Sequence, residues 1–228
     1  MPDKLSKELK QFLYTFEKKI NIKKGTYLFH EGETANEIYL ILSGKVQMSK
    51  ITPDGQELTM RLCSEDDIVG ELTLFTDGAL YLLNAKVMED GTAIVIPKDE
   101  LEIGVANDSK IAVELMKWMS IHFRKTQTKF RDLVLKGKKG GLYSTLIRMT
   151  NSYGVMKPNG ILIDTPLTNQ DLANYCGTSR EVVNRMLSEL KKNEILSVEK
   201  GKITIHDLNF LKLEIDCENC PVELCSID

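Results

Sequence analysis

For the first hundred residues the apolar positions come in short runs, and after that they come at helical spacing. Residues 26–29, 38–42, 45–48, 58–62 and 93–96 are rich in β-branched, aromatic and aliphatic side chains, the composition of strands. Glu31-Gly32-Glu33, Ser43-Gly44, Asp54-Gly55 and Asp90-Gly91 separate them, and each pair or triplet reads as a turn. Many short strands between turn signals predict a small antiparallel barrel or roll. From 109 to 136 neither Pro nor Gly occurs. There Ala112, Leu115, Met119, His122, Thr126, Lys129 and Leu133 recur at alternating steps of three and four, flanked by Met116, Phe123 and Phe130. That is a heptad seam, weak at its polar members. A helix of about 28 residues spans roughly 40 Å, and a lone helix of that length between two domains buries its stripe against a twin. The pattern therefore predicts a parallel homodimer with Leu115, Met119, His122, Phe123, Thr126 and Leu133 at the interface. The plainer alternative is a helix packed on its own barrel. Gly137, Gly140 and Gly141 predict the end of this helix and a hinge, and 142–153 a further helix. A hairpin is expected with 195–198 against 202–205, turning at Lys200-Gly201.

Between these last elements, residues 168–191 read as two short helices joined at Cys176-Gly177-Thr178. Leu172, Cys176, Val183, Met186, Leu187 and Leu190 supply a buried stripe, Ala173 permits a close crossing, and Gly177 the positive φ of the turn. This is the spacing of a helix-turn-helix, and the hairpin after it makes the winged variant. The second helix starts at Thr178 or Ser179, so Ser179, Arg180, Glu181, Asn184 and Arg185 lie near the end that enters a major groove. Thr168 and Gln170 open the first helix beside them. Arginine can fork onto guanine, and glutamate can accept from cytosine N4. The competing role for Glu181 is a capping box, Thr178-x-x-Glu181. Cys176 reads as a small core residue.

Composition narrows the class. The 228 residues are enough for two modest domains, and the pattern places a roll over 1–106, a dimerisation helix over 107–136 and a DNA-binding domain over 137–228, an α+β architecture. No apolar run is long enough to span a membrane, and the first residues lack a signal-peptide core. An odd set of five cysteines without an export signal points to a reducing cytoplasm. Net charge is −3, yet between Lys117 and Arg148 nine basic residues face one acid, Asp132. Charge so concentrated can meet phosphates.

Three of the five cysteines, Cys217, Cys220 and Cys225, sit in C-x2-C-P-x3-C spacing near the end of the chain. Thiolates this close converge on one metal centre, an iron–sulfur cluster or zinc. Three ligands complete neither. Candidates for the fourth are Cys63, Cys176, His206, the nearby acids and Asp132. On spacing alone Asp132 belongs to an intrahelical ion pair with Lys129, Arg131 or Lys136, and zinc would take His206. A redox Cys-x-x-Cys enzyme is a third expectation, but the histidines are scattered and nothing else looks catalytic.

Roll, long helix and winged helix-turn-helix together resemble the CRP/FNR superfamily of bacterial regulators, over essentially the whole chain. Val69-Gly70-Glu71-Leu72-Thr73-Leu74-Phe75 is similar to its barrel signature, and Arg180-Glu181-x-x-x-Arg185 to the recognition helix of its CRP branch. The resemblance implies TGTGA-type half-sites in an inverted repeat, double-stranded DNA and RNA polymerase as partners, and a homodimer. Cyclic-nucleotide members continue the barrel signature with an arginine for the phosphate. Here 76–83 contain none, which argues against a cyclic-nucleotide effector and makes Gly70 and Glu71 fold residues. Gly137-Lys-Lys-Gly140, Leu167-Thr-Asn-Gln-Asp-Leu-Ala173 and Cys217-Glu-Asn-Cys-Pro221 resemble the Bacillus-type FNR branch. That likeness implies a 4Fe–4S cluster on Cys217, Cys220 and Cys225 with an aspartate, at the position of Asp132, as fourth ligand. It implies an oxygen-responsive regulator.

Overall fold

The structure, a computed structural model, describes residues 5–227. The chain divides into two compact units, with the division falling between Ile121 and His122 of the long helix. In the first unit, α1 (Lys7–Leu13) is capped by the Ser6 hydroxyl, which accepts from the backbone N–H of Leu9. Strands β1 (Lys19–Ile22), β2 (Tyr27–Phe29), β3 (Glu37–Ile51), β4 (Glu57–Cys63), β5 (Ile68–Val69) and β6 (Asn84–Pro97) follow, then α2 (Lys98–Asn107) and α3 (Ser109–Leu135). The strands form one sheet in the order β1-β6-β3-β4, with β2 on β6 and β5 on β3. Side chains alternate across β3. Tyr39 and Ile41 enter one apolar cluster with Phe29, Val87 and Val95. Ile38 and Leu40 enter another with Leu9, Leu13, Ile94 and Leu101. Both faces are covered, which is why 38–42 is an unbroken apolar run.

Two expected turns are not turns. Ser43-Gly44 and Asp90-Gly91 lie inside β3 and β6, which pair from Glu37↔Pro97 to Ser49↔Asn84 with register shifts between Ile41 and Val46. A Cβ on Gly91 would stand 2.0 Å from the Ser43 carbonyl oxygen. These glycines let two backbones approach at a bulge, and the strands continue through it. Gly32 and Gly55, by contrast, lie between strands with positive φ of 87° and 83°. The Glu71 carboxylate accepts from the Leu82 N–H at 3.2 Å.

The long helix forms over nearly the predicted span, but its outward face is rotated by one residue. Leu115 is only 3% exposed and packs in its own unit's core with Ile111 and Trp118, so it does not belong to a partner interface. Leu133 is half-buried, and a Cβ on Gly141 would lie 3.2 Å from its Cδ2. Exposed apolar residues of the helix include Met116, Met119, Phe123, Phe130 and Val134, with Phe123 at 63% and Phe130 at 66%. Thr126 is also exposed, while His122 is half-buried.

In the second unit, α4 (Gly137–Tyr153) begins one residue after α3 ends. Only Gly137, at φ +62°, breaks the helix. Gly140 and Gly141, expected in a hinge, are buried inside α4, where small residues permit close packing. Strands β7 (Gly154–Lys157) and β8 (Gly160–Ile163), which the sequence reading missed, precede α5 (Asn169–Cys176), α6 (Arg180–Lys192), the expected hairpin β9 (Leu196–Glu199) and β10 (Lys202–Ile205), and α7 (Leu208–Glu214). The sheet order is β7-β8-β10-β9. Lys200 and Gly201 turn the hairpin, both at positive φ, as a type I′ turn requires.

Candidate metal centre and nucleic-acid interface

The helix-turn-helix is built from its caps. Thr168 accepts from the Asp171 N–H while the Asp171 carboxylate accepts from the Thr168 N–H, a reciprocal capping box that starts α5. Gly177 ends α5 at φ +58°, the left-handed region that glycine enters without a Cβ penalty. Ser179 then caps α6, its hydroxyl accepting from Val182 N–H. The competing Thr178–Glu181 box is therefore absent: the cap sits one residue later, so Glu181 falls at the second helical position. Leu172, Cys176, Val183, Leu187 and Leu190 are buried and Met186 half-buried, while Ser179, Arg180, Glu181, Asn184 and Arg185 are all exposed. The Glu181 carboxyl is held below its ordinary value by its own backbone N–H, then by the Ser179 hydroxyl. Thr168 and Gln170 are exposed beside α6. Gln170 donates to Asn174, and Asn169 donates to Asn184 at 3.0 Å across the two helices.

At the other end of the unit, the last turns of α3, the middle of α4 and the segment after α7 enclose one pocket. Its lining includes Asp132, Arg131, Ser144, Arg148, Cys217, Glu218, Cys220 and Cys225. All four predicted metal ligands thus face a common space, although they come from segments 85 residues apart in the chain (217 − 132). The thiols are unpaired. Among the described residues no three His, Cys, Asp or Glu side chains already stand at the spacing of a single ion site. The donor set, three thiols that coordinate as thiolates and a carboxylate, fits an iron–sulfur cluster or zinc, and the Arg131 Nη2 lies 4.0 Å from the Cys220 sulfur.

Asp132 is 7% exposed and fully hydrogen-bonded. Its Oδ1 accepts from Arg131 Nε and Nη2 at 3.0 and 2.8 Å. Its Oδ2 accepts from Ser144 Oγ at 2.6 Å and Arg148 Nη2 at 3.0 Å. Burial opposes its ionisation, but the bonds from Ser144, Arg131 and Arg148 prevail and hold its carboxyl below the usual range. The neighbour pairing expected with Arg131 is present, and α4 supplies the other two of the four bonds. Burial raises the Cys225 thiol; Arg148 opposes that, and Cys217, Cys220 and Asp132 add to it.

Several of the nine basic residues between Lys117 and Arg148 are engaged within the unit itself. Arg148 is 2% exposed and reaches the Leu224 carbonyl at 3.0 Å. Arg131 pairs with Glu218, Lys136 with Asp216 and Lys139 with Glu214. Lys129 lies over the Tyr175 ring, 5.4 Å from its centroid. Five of the nine hold the protein together at this end of the unit. The signal was available in the alternation Glu214, Asp216, Glu218, which matches those bases in charge. Arg148, Ser144 and Thr128 carried no pattern of their own. His206 does not line the pocket. Its two ring nitrogens meet the Asn159 carbonyl at 2.6 Å and the Ser197 hydroxyl at 3.0 Å in the wing sheet. Cys176 is buried, its thiol pushed up to about 11 by burial, and Cys63 is buried in the roll core.

Comparison with known proteins fits this geometry. A cyclic nucleotide-binding domain matches residues 19–108, and a Crp-like helix-turn-helix domain residues 142–213. An anaerobic regulatory protein of Bacillus subtilis is 53% identical over 99% of this chain and 95% of that protein. The chain belongs to the CRP/FNR family. A CRP-like cAMP-activated global transcriptional regulator of Mycobacterium tuberculosis is more distant, 26% identical over 82% of this chain and 84% of that one. The solved structure of a CooA mutant from Carboxydothermus hydrogenoformans superposes with a TM-score of 0.77 at 22% identity, covering 90% of each chain, and bears on the fold alone. The expected α+β architecture is thus the CRP/FNR one, and its exposed α6 face belongs to a DNA-binding module. CRP/FNR relatives are regulators, which removes the enzyme reading. No helix among the described residues is long and apolar enough to cross a membrane.

Proposed function

We propose that this CRP/FNR protein is an oxygen-responsive, anaerobic transcription regulator. In this reading it binds inverted TGTGA-type repeats as a homodimer and holds a 4Fe–4S cluster on Cys217, Cys220, Cys225 and Asp132. The observation that carries it is the convergence of those four side chains on one pocket. The likeness to an anaerobic regulatory protein supports the signal.

When bound, the cluster would supply an oxygen-labile redox centre. The chain's own residues do the rest. The three thiols and Asp132 join the tail to the last turns of α3. Arg131, Lys136 and Lys139 draw the acids of the tail to the start of α4. The exposed apolar face of α3, Met116 through Val134, buries against the same face of a second copy. Two recognition helices must then stand about one helical turn of DNA apart, roughly 34 Å. Arg180 and Arg185 read guanine edges and Glu181 a cytosine. No cyclic nucleotide is needed, and RNA polymerase is the partner at the promoter.

The test is an absorption spectrum with iron and sulfide counts on protein prepared without air, beside operator affinity as oxygen is titrated in. Four irons per chain and affinity lost with the cluster are expected. A colourless protein with one zinc, or affinity indifferent to cluster loss, would sink the reading.

A further inference from the structure

One charged group in the pocket's wall entered the sequence reading only as part of the basic segment. Arg148 lies in the middle of α4 and is 2% exposed. Its Nε reaches Ser144 Oγ at 3.3 Å, and its Nη2 reaches Asp132 Oδ2 at 3.0 Å and Thr128 Oγ1 at 3.2 Å. Its Nη1 donates to the backbone carbonyl of Leu224 at 3.0 Å. Leu224 is the residue before Cys225, and the Cys225 carbonyl is held in turn by Asn151 Nδ2 at 2.6 Å. One guanidinium therefore ties the carboxylate on α3 to the backbone that carries the last cysteine.

The two oxygens of Asp132 are held unequally. Oδ2 sits on the buried side, between Ser144 and Arg148. Oδ1 is met by Arg131, which also reaches Glu218 and approaches the Cys220 sulfur. Each oxygen accepts two bonds, but both of those on Oδ1 come from the part-buried Arg131, so displacing that one side chain frees Oδ1 while Oδ2 stays held. An unpaired arginine this deep would be costly, so the carboxylate and the guanidinium hold each other in place.

We propose that Arg148 is the positioning residue of the centre: it clasps the tail to α3 in the metal-free protein and presents Asp132 Oδ1 and Cys225 to the same pocket. The part of this that concerns iron rests on the function proposed above; the clasp does not. A lysine cannot substitute, because a single ammonium lacks the fork needed to reach Asp132 and the Leu224 carbonyl together.

The test uses the full chain without metal. Amide hydrogen exchange is measured on peptides covering 215–227 and on α5–α6, for wild type, Arg148→Gln and Arg148→Lys. Tail exchange is expected to rise at least tenfold in Arg148→Gln and severalfold in Arg148→Lys, with α5–α6 unchanged. Anaerobic loading with ferrous iron and sulfide is expected to leave both variants with less than half the wild-type iron. Tail protection equal to wild type in the variants overturns the proposal, whatever the iron count. If Arg148→Gln also loses α5–α6 protection, Arg148→Lys decides by the same comparison. Wild type that takes up no iron sinks the cluster reading, while the exchange data still judge the clasp.

Discussion

A single carboxylate can be a metal ligand and a structural counter-charge at once; Asp132 pairs with Arg148 in the structure and is the fourth ligand in the proposed reading. Its pairing with buried Arg148 means that Asp132→Ala strips more than a ligand. It leaves a desolvated guanidinium without its partner, at an expected cost of about 3–5 kcal/mol in the metal-free chain. Asp132→Asn keeps an acceptor for Ser144 and Arg148 and should cost less in urea melts, while still losing the negative charge at the pocket. Iron retention that falls in Asp132→Asn with little change in melting would separate the two roles. On the DNA side, Arg180 is exposed at the first position of α6. Arg180→Ala should weaken operator binding by about 1–3 kcal/mol and relax preference at one base pair, read by competition titration on single-base operator variants. Equal losses on every sequence would instead assign it to the phosphates.

At the level of elements, caps and glycines fixed what composition could only suggest. Gly177 is the joint of the helix-turn-helix at φ +58°. Gly177→Ala should destabilise the second unit by about 1–2 kcal/mol, the penalty of a side chain in the left-handed region, measured by thermal melting. Gly44 and Gly91 were misread because a glycine at a bulge and a glycine in a turn look alike in sequence; only the partner strand distinguishes them. The long helix was legible in its length and its lack of Pro and Gly. Its seam was displaced because Ile111, Leu115 and Trp118, the largest apolar residues near its start, are used by the roll. The apolar residues left over, Met116, Phe123 and Phe130, were noted as flanks and form the exposed face. Phe123→Asp is expected to convert a dimer to monomer in sedimentation with no loss of monomer stability, since Phe123 makes little use of its own chain. A dimer that survives would place the interface elsewhere.

For the molecule as a whole, stability should depend on pH through one half-buried lysine, Lys129, packed on the Tyr175 ring. Burial, with Arg148 next in size, pushes the Lys129 ammonium from 10.5 down to about 8. The folded pKa lies below the unfolded one, so between about 8 and 10.5 the unfolded chain binds more protons. Stability should therefore rise with pH across that window, by up to about 3 kcal/mol, and Lys129→Met should abolish the rise. Denaturant melts from pH 7 to 10.5 would show it; equal slopes in the two proteins would not fit. The sequence by itself determined the order of roll, helix and winged helix-turn-helix, the reading face of α6 and the set of candidate ligands. Those rest on period, turn chemistry and spacing, which are local. The tertiary structure alone decided which basic residues bind the tail, which face of α3 stays bare, and that Asp132 and the Leu224 carbonyl share an arginine. Those follow from burial, and burial depends on what distant segments bring to the same place.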